Sequence, residues 1–330
     1  MYSANEKRYD KMTYNKCGES GLFLPKISLG LWQNFGDSAD YDEMKDIVLT
    51  AFDMGVTHFD LANNYGPKAG SAEVNFGKIV RENLMPYRDE LVISTKAGYR
   101  MWSGPYGIGG SRKYLTSSLD QSLKRMGLDY VDIFYHHRMD TETPLEETMG
   151  ALADIVRSGK ALYAGVSNYN EEYTRKASEI LKSLHCPFIV NQRRYSIFDR
   201  EIEHDGVKYF CKENGIGIIA FSPLAQGLLT DKYMNGIPED SRIKRDGRFL
   251  KPEAISEAYI SKVKALNRIA ADRGQTLAQM ALSWILKDED VCSVLVGASS
   301  PKQIEEDAKI VGHTEFQAAE LEQINEIVHN

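Results

Sequence analysis

Four polar or ionisable side chains lie at or just after the ends of three consecutive apolar segments. Asp60 and Tyr65 follow the segment that begins at His58, Lys96 ends the next segment, and His137 ends the third. A phenol beside an ammonium, a carboxylate and an imidazole can protonate an oxygen atom that gains negative charge during a reaction. We expect Tyr65 to be the general acid, because the Lys96 ammonium favours the phenolate and lowers the pKa of tyrosine from its ordinary value of about 10.

The remaining residues of this group have supporting roles. Asp60 is expected to keep Lys96 charged and oriented, and His137 to donate a hydrogen bond to a carbonyl oxygen or to relay the proton. Each side chain taken alone is more often structural or solvated. Their order at successive strand ends favours a joint role, in which an oxygen is protonated as a hydride arrives at the neighbouring carbon.

Eight short apolar segments alternate with amphipathic helical stretches along the chain. Such continuous apolar segments are typical of parallel strands buried on both faces. Eight strand-helix units with right-handed crossovers close into a (β/α)8 TIM barrel, whose active sites lie at the C-terminal ends of the strands. The predicted strands are Ile27–Trp32, His58–Ala62, Leu91–Ala97, Val131–His137, Ala161–Ser167, Phe188–Gln192, Gly217–Ser222 and Cys292–Gly297.

A doubly wound open sheet is the competing architecture. It usually carries a Gly-x-Gly-x-x-Gly turn after its first strand, and residues 33–37 of this chain contain no such turn. Residues 13–26 are predicted to form a β-hairpin before the barrel, while residues 98–114 and 225–257 form long loops at the C-terminal rim. We expect residues 1–330 to form a single barrel domain.

Composition excludes several classes of protein. The net charge of the 330 residues is −7, and the pI is about 5.6. An acidic chain is a poor ligand for nucleic acid or a membrane surface, and no apolar stretch reaches the roughly 18 residues of a membrane span. The polar first residues and four cysteines without metal-ligand spacing favour a cytoplasmic protein with reduced thiols.

Several motifs in the same order resemble those of the aldo-keto reductase superfamily. They are residues 55–66, 70–77, 93–96, 165–168, 191–192 and 221–224. Residues 107–113, 225–233 and 297–300 are similar to the branch that contains bacterial L-glyceraldehyde 3-phosphate/methylglyoxal reductases and potassium-channel β subunits. Channel subunits carry asparagine at the position of His137, whereas the reductases carry histidine, so the reductases are the nearer set.

The resemblance implies that NADPH/NADP+ is bound without a Rossmann fold. Ser167, Asn168 and Gln192 would hold the nicotinamide carboxamide, and Phe221 would stack on the ring. The residues implied to bind the cofactor are Trp32, Asp60, Ser167, Asn168, Gln192, Phe221, Ser222, Pro223, Leu224, Gln226, Lys232, Arg242, Gly297, Ser299, Gln303, Glu306 and Asp307.

The preference for NADPH depends on the end of the cofactor that carries the 2′-phosphate. Arg242, Ser299 and Gln303 would surround this phosphate, next to a predicted helix that begins after Ser300. Backbone N–H groups at a helix start attract anions, and arginine is a planar phosphate donor. Many relatives carry asparagine at the position of Asp307, and others carry a basic residue near Gln303, so NADH is also a candidate cofactor.

The resemblance also implies reduction of small aldehydes or ketones, including L-glyceraldehyde 3-phosphate and methylglyoxal. The expected substrate pocket is formed by Trp32, Tyr65, Trp102, Tyr106, His137 and Arg138. Alternatively, Trp102 and Tyr106 only attach their loop to the barrel. Resemblance to this branch implies that the chain assembles into homo-tetramers or homo-octamers.

Two other functions remain as hypotheses. The first is a regulatory subunit that binds NADPH with little turnover, as channel β subunits do. His137 argues against this hypothesis, as does the lack of a separate N-terminal regulatory segment. The second is metal-assisted hydrolysis, which requires a carboxylate and histidine cluster at the strand ends. Beyond Asp60 and the adjacent His136 and His137, the predicted rim contains no such cluster.

Overall fold

The computed structural model describes residues 2–234, 236–239, 241–245 and 250–329. An antiparallel hairpin, β1 (Tyr14–Lys16) and β2 (Phe23–Pro25), precedes a closed barrel of eight parallel strands. Each barrel strand pairs with the next in the chain, and the last pairs with the first. The barrel strands are β3 (Ile27–Gly30), β4 (His58–Asp60), β5 (Val92–Ala97), β6 (Val131–His136), β7 (Ala161–Ser167), β8 (Phe188–Arg194), β9 (Gly217–Phe221) and β10 (Val291–Val296).

Helices surround the barrel and connect its strands. Good N-caps define several of their starts: Asn170 accepts the N–H of Tyr173, and Thr276 and Gln279 form a capping box. The helices are α1 (Tyr41–Asp53), α2 (Ser71–Ile79), α3 (Arg112–Met126), α4 (Leu145–Arg157), α5 (Glu171–Ser183), α6 (Glu201–His204), α7 (Val207–Glu213), α8 (Arg242–Arg245), α9 (Glu257–Asp272), α10 (Leu277–Ile285), α11 (Pro301–Ala308) and α12 (Ala318–His329).

The hairpin covers the N-terminal end of the barrel. Cys17 and Leu24 are fully buried and belong to the same apolar cluster as Tyr135 inside the barrel. Gly18 has a φ of +59°, and a Cβ there would lie 2.0 Å from the carbonyl oxygen of Gly215. Only glycine lets the hairpin turn approach the start of β9 so closely, so this end of the barrel is closed and the other end remains for a site.

The register of the sheet brings the predicted residues to one rim. Asp60 pairs with Ser94, and Lys96 pairs with Tyr135, along neighbouring parallel strands. Because the strands are parallel, the residues that follow β4, β5 and β6 emerge at the same C-terminal end. The chain positions of Asp60, Lys96 and His137 therefore place them on adjacent strands.

The architecture confirms the predicted TIM barrel with its N-terminal hairpin. The strand ends differ by at most two residues from the prediction; the first strand stops at Gly30 rather than Trp32. Helix α3 begins inside the predicted loop 98–114, and short helical turns interrupt the loop 225–257. Among the described residues, no helix is both long and apolar enough to cross a membrane.

Candidate active site

The ammonium of Lys96 occupies the centre of the site. Its Nζ forms a salt bridge with Asp60 Oδ2, donates to the carbonyl oxygen of Leu61 at 2.7 Å, and donates to the hydroxyl of Tyr65 at 3.3 Å. An ammonium has three N–H donors, and these three acceptors use all of them. Lys96 is fully buried, so both its position and its orientation are determined by the barrel.

A tight loop after β4 carries Tyr65 back over the barrel. The N–H of Tyr65 donates to the carbonyl of Ala62, and the N–H of Ala72 in α2 donates to the carbonyl of Tyr65. Gly66 follows with a φ of +95°, where a Cβ would lie 2.1 Å from the Ser71 hydroxyl. The turn therefore requires glycine directly after the tyrosine, and it directs the Tyr65 side chain toward Lys96.

The carboxylate of Asp60 is held by three donors on two other strands. Its Oδ2 pairs with Lys96 on β5. Its Oδ1 accepts the hydroxyl of Ser94, also on β5, at 2.7 Å, and the Nε2 of Gln192 on β8 at 3.1 Å. Asp60 is 1% exposed. One buried carboxylate thus links the predicted proton donor to Gln192, a residue predicted to hold the cofactor.

Burial raises the pKa of the Tyr65 phenol well above 10, and electrostatic interactions with Asp60 and Tyr99 act in the same direction. We expected the pKa of Tyr65 to lie below its ordinary value because of Lys96, and this prediction is wrong, since the net shift is upward. Burial also lowers the pKa of Lys96, although attraction by Asp60 opposes the effect. Tyr65 is therefore protonated at neutral pH, as a proton donor must be.

Burial lowers the pKa of His137 well below its ordinary value, and the neighbouring Lys96 and His136 act in the same direction. His137 is therefore neutral at neutral pH. A neutral imidazole carries one N–H, so it can donate a hydrogen bond. Because the ring is neutral, His137 does not act as an imidazolium that supplies the proton itself.

Aromatic rings surround the Tyr65 hydroxyl. The ring of Tyr65 lies 6.2 Å from that of Trp32 and 5.9 Å from that of His137. Tyr99 also contacts His137 edge-on, with the ring centroids 4.7 Å apart. These rings provide apolar surroundings in which hydrogen bonds to a reacting oxygen are strong.

A cleft of about 780 Å³ extends from Tyr65 and His137 across the barrel mouth. It contacts the ends of β3, β7, β8, β9 and β10. Its lining includes most residues that were predicted to bind the cofactor: Trp32, Asp60, Ser167, Asn168, Gln192, Phe221, Ser222, Pro223, Leu224, Gln226, Lys232, Gly297, Ser299 and Gln303.

The backbone after β9 is unusual where it follows this cleft. Ser222, Ala225 and Gln226 have φ values of 54°, 47° and 62°, in the left-handed region. Residues other than glycine seldom adopt this region, and they often do so at ligand sites. The distorted segment contains Ser222 and Gln226, two of the residues that were predicted to bind the cofactor.

The start of α11 is arranged mainly through Gln303. Its Oε1 accepts the backbone N–H of Ser299 at 3.1 Å, and its Nε2 donates to the carbonyl of Gly297 at 3.3 Å. The hydroxyl of Ser300 caps the helix by accepting the N–H of Gln303. Gln303 thereby fixes the loop shape beside the helix start.

Two predicted cofactor contacts are not part of the described cleft lining, and the side chain of a third cannot be placed relative to it. Glu306 and Asp307 belong to α11, where Glu306 forms a salt bridge with Lys309 at 2.7 Å. Arg242 begins α8, and its side chain lies outside the described residues.

Asp307 is a buried acid near the end of α11. It is 4% exposed, and its Oδ2 has no hydrogen-bond partner in the part of the chain that the structure describes. Burial, reinforced by the neighbouring Glu306, raises the pKa of Asp307 to about 7. Because this pKa lies above that of an unfolded aspartate, Asp307 favours the folded state fully at low pH. That contribution is lost as the pH rises toward 7.

Asp307→Asn should therefore remove the loss of folding stability that Asp307 causes as the pH rises. We expect the unfolding free energy of the variant, relative to the parent protein, to grow by roughly 2–3 kcal/mol between pH 5 and pH 8. Chemical denaturation at both pH values measures this change. Asp10→Asn, at an exposed position, is the control and should show no such growth. Equal behaviour of the two variants would contradict the raised pKa.

Three residues of the predicted substrate pocket lie outside the described lining of the cleft. Trp102 packs on the ring of Tyr114 at 5.2 Å, while Tyr106 is 59% exposed. Arg138 lies over the ring of Tyr99 at 5.5 Å. Trp32, Tyr65 and His137 do line the cleft.

Sequence analysis did not select Tyr99 or Ser94, although both contact predicted site residues. Tyr99 lies three residues after Lys96, and Ser94 lies two residues before it on β5. Side chains alternate along a strand, so the period of two places Ser94 on the same inward face as Lys96. That spacing was the available signal for Ser94.

The fold and this arrangement of residues define a class of protein. The sequence profile of the Aldo/keto reductase family matches residues 26–329, and the chain belongs to this family. It is therefore an oxidoreductase of the aldo-keto reductase type.

Curated relatives and a solved structure agree with this assignment. L-glyceraldehyde 3-phosphate reductases of Escherichia coli O157:H7 and of Escherichia coli K12 are 56% and 55% identical over 329 residues, which cover 99% of this chain and 95% of each relative. A probable voltage-gated potassium channel subunit beta of Arabidopsis thaliana is 38% identical over 306 residues, covering 91% of both chains. A thermostable aldo-keto reductase solved with the inhibitor epalrestat has a TM-score of 0.75 and 30% identity, covering 96% of this chain and 100% of the other.

Proposed function

We propose that this protein reduces small aldehydes and ketones to alcohols with NADPH, using Tyr65 as the general acid. One observation carries the proposal: the Lys96 ammonium contacts both Asp60 and the Tyr65 hydroxyl, which line the mouth of a 780 Å³ cleft. A proton donor beside a long cleft suits a reaction that combines a large cofactor with a small carbonyl compound.

Each of the four residues Asp60, Tyr65, Lys96 and His137 has its own role in the protonation of the carbonyl oxygen. NADPH bound in the cleft would supply the hydride for the carbonyl carbon. The Tyr65 O–H protonates the oxygen, and the adjacent Lys96 ammonium stabilises the resulting phenolate. Neutral His137, whose ring lies 5.9 Å from that of Tyr65, donates a hydrogen bond to the same oxygen. Asp60 holds Lys96 in place.

The cleft residues fit the nicotinamide end of NADPH. Gln192 donates through Nε2 to Asp60, so its Oε1 is available to accept from the carboxamide. Ser167 and Asn168 lie next to it on β7 and the following residue, and Phe221 offers a ring at the end of β9. These positions support the carboxamide and stacking roles that the family resemblance implies.

The relatives narrow the proposed substrate. Two of them are named L-glyceraldehyde 3-phosphate reductase, and we propose this compound and methylglyoxal as substrates. Arg138 follows His137 directly and lies over Tyr99, which itself contacts His137. No acidic partner of Arg138 is present among the described residues, so it remains a candidate for contact with an anionic group. Trp102 and Tyr106 remain proposed pocket residues.

Arg242 is proposed to recognise the 2′-phosphate of NADPH. Arg242→Ala should raise the Kd for NADPH roughly 10- to 100-fold, because a charge-assisted hydrogen bond is lost. The Kd for NADH, which lacks this phosphate, should change less than about threefold. Fluorescence titration measures both. Arg157→Ala, at an exposed arginine of α4, should leave both values unchanged, and equal weakening by Arg242→Ala would refute the assignment.

A regulatory subunit with little turnover is the second candidate, because a channel subunit beta is 38% identical. Steady-state oxidation of NADPH and NADH with phosphorylated and aromatic aldehydes discriminates the two. The proposed reductase oxidises NADPH in an aldehyde-dependent manner. Binding of NADPH without turnover of any aldehyde would favour the regulatory role.

Location and assembly also belong to the proposal. We propose a cytoplasmic protein that forms homo-tetramers or homo-octamers, as the family branch suggests. Analytical ultracentrifugation measures the assembly, and a monomer at micromolar concentration would contradict it.

A further inference from the structure

A chain of polar side chains runs through the barrel interior beneath Asp60. The hydroxyl of Ser94 donates to Asp60 Oδ1 at 2.7 Å and lies 3.0 Å from Nε2 of His58. The Nδ1 of His58 lies 2.8 Å from the hydroxyl of Ser28. All three residues are 0% exposed. We call Ser28, His58 and Ser94 the barrel relay.

The barrel relay continues toward the closed end of the barrel. The Ser28 hydroxyl lies 2.6 Å from that of Ser293 on β10, and Ser293 donates to the carbonyl oxygen of Pro25 at 2.7 Å. The contacts therefore connect the base of the barrel with the carboxylate at its mouth. In the described part of the chain, His58 and Asp60 are the titratable side chains that take part in these contacts.

The number of protons determines how the relay is oriented. The relay and its two ends contain five contacts: Ser94 with Asp60, Ser94 with His58, His58 with Ser28, Ser28 with Ser293, and Ser293 with a backbone carbonyl. Three hydroxyls and a neutral imidazole supply only four protons. One contact must therefore lack its proton.

The contact without a proton should be one whose loss costs little free energy. A hydrogen bond to an ionised carboxylate is about twice as strong as one between neutral groups, so the Ser94 hydroxyl donates its hydrogen bond to Asp60. It then cannot donate to His58, so the Ser94–His58 contact has a proton only if His58 carries its proton on Nε2 and donates to Ser94. In that arrangement the bare Nδ1 accepts from Ser28, and the contact without a proton lies beside Ser293, far from the carboxylate. In the alternative arrangement Nδ1–H donates to Ser28, and the Ser94–His58 contact is the one without a proton.

We propose that the barrel relay is a positioning device for the reaction, in which the Nε2–H tautomer of His58 directs the Ser94 hydroxyl onto Asp60. This inference rests on the proposed function. With Ser94 and Gln192 on Oδ1, the Oδ2 of Asp60 faces the Lys96 ammonium. By orienting Asp60, the relay therefore positions Lys96, which contacts the proton donor, and Gln192, which is predicted to contact the carboxamide.

The environment of His58 is consistent with a neutral ring. Burial lowers the pKa of His58 to about 4, and the positive charge of Lys96 acts in the same direction against the attraction of Asp60. At neutral pH the imidazole carries one proton, and the tautomer alone decides which way the chain of hydrogen bonds runs.

Ser94→Ala tests the relay in the full-length protein. Loss of a hydrogen bond to a charged group should lower kcat roughly tenfold, while KM for the aldehyde changes less than about twofold. Ser122→Ala is the matched control, since Ser122 is equally buried but bonds to Arg125 on α3. Equal kcat values for the two variants would overturn the proposal.

Two replacements of His58 separate positioning from packing. His58→Gln keeps an N–H donor near the position of Nε2, whereas His58→Leu has a similar size and no donor. We expect the kcat of the glutamine variant to be at least about fivefold higher than that of the leucine variant. The thermal midpoints of the two variants should be similar. Equal kcat values for two folded variants would contradict the proposed donor.

The tautomer can be measured without any turnover. In protein labelled with 15N-histidine, the NMR signal of His58, assigned by its loss in His58→Gln, should show a proton on Nε2 and an unprotonated Nδ1 at pH 7. A proton on Nδ1, or an imidazolium, would refute the relay. If the parent protein reduces no aldehyde, the proposed function fails, and this measurement still decides the orientation of the relay.

Discussion

Tyr65→Phe is expected to lower kcat for aldehyde reduction roughly 100- to 10,000-fold, the usual contribution of a general acid. The substitution removes the hydroxyl that Lys96 contacts at 3.3 Å. It keeps the ring that packs near Trp32 and His137, so the cleft should retain its shape. Initial-rate kinetics measure the loss, and quenching of NADPH fluorescence should be nearly unchanged.

Tyr130→Phe is the matched control for this variant. Tyr130 directly precedes β6, at the opposite end of the barrel from the cleft, and packs against Arg88. It should keep the kcat of the parent protein. Retention of turnover by Tyr65→Phe, with Tyr130→Phe also active, would remove Tyr65 from the acid role.

Lys96→Met should also lower kcat by roughly 100-fold or more, because no ammonium remains to stabilise the phenolate of Tyr65. It should in addition destabilise the fold by about 3–5 kcal/mol, since the buried carboxylate of Asp60 loses its charged partner. Kinetics and chemical denaturation measure the two effects separately.

A double variant distinguishes the chemical role of Lys96 from its structural one. Asp60→Asn with Lys96→Met removes both charges, so much of the lost stability should return, while kcat should remain as low as in Lys96→Met. Recovery of activity together with stability would show that Lys96 serves the fold alone.

The barrel and the grouping of Asp60, Tyr65, Lys96 and His137 at its rim were predictable because their signals are local and repeated. Continuous apolar segments identified all eight barrel strands, and parallel strands bring consecutive C-terminal ends to one rim. Asp60, Lys96 and His137 end or follow three such strands. Motifs shared with a family then selected cleft residues, such as Gln192 and Phe221, that are ordinary strand residues in composition.

Properties that depend on packing were not predictable from the sequence. The spacing suggested that Lys96 lowers the pKa of Tyr65, but burial has the larger effect and raises it. The link from Ser28 through His58 to Ser94 joins three strands, and neither residue type nor spacing reveals which inward side chains meet. The position of Tyr99 against His137 depends on the path of its loop.

Transfer of deuterium from NADPH labelled at nicotinamide C4 tests the central claim most directly. The account predicts that the parent protein, given a small aldehyde and NADPH carrying deuterium on the transferred face, forms an alcohol with one deuterium on the former carbonyl carbon, and that Tyr65→Phe forms almost none while still binding the cofactor. Mass spectrometry of the product measures this. An alcohol without deuterium, or equal product from both proteins, would contradict the account.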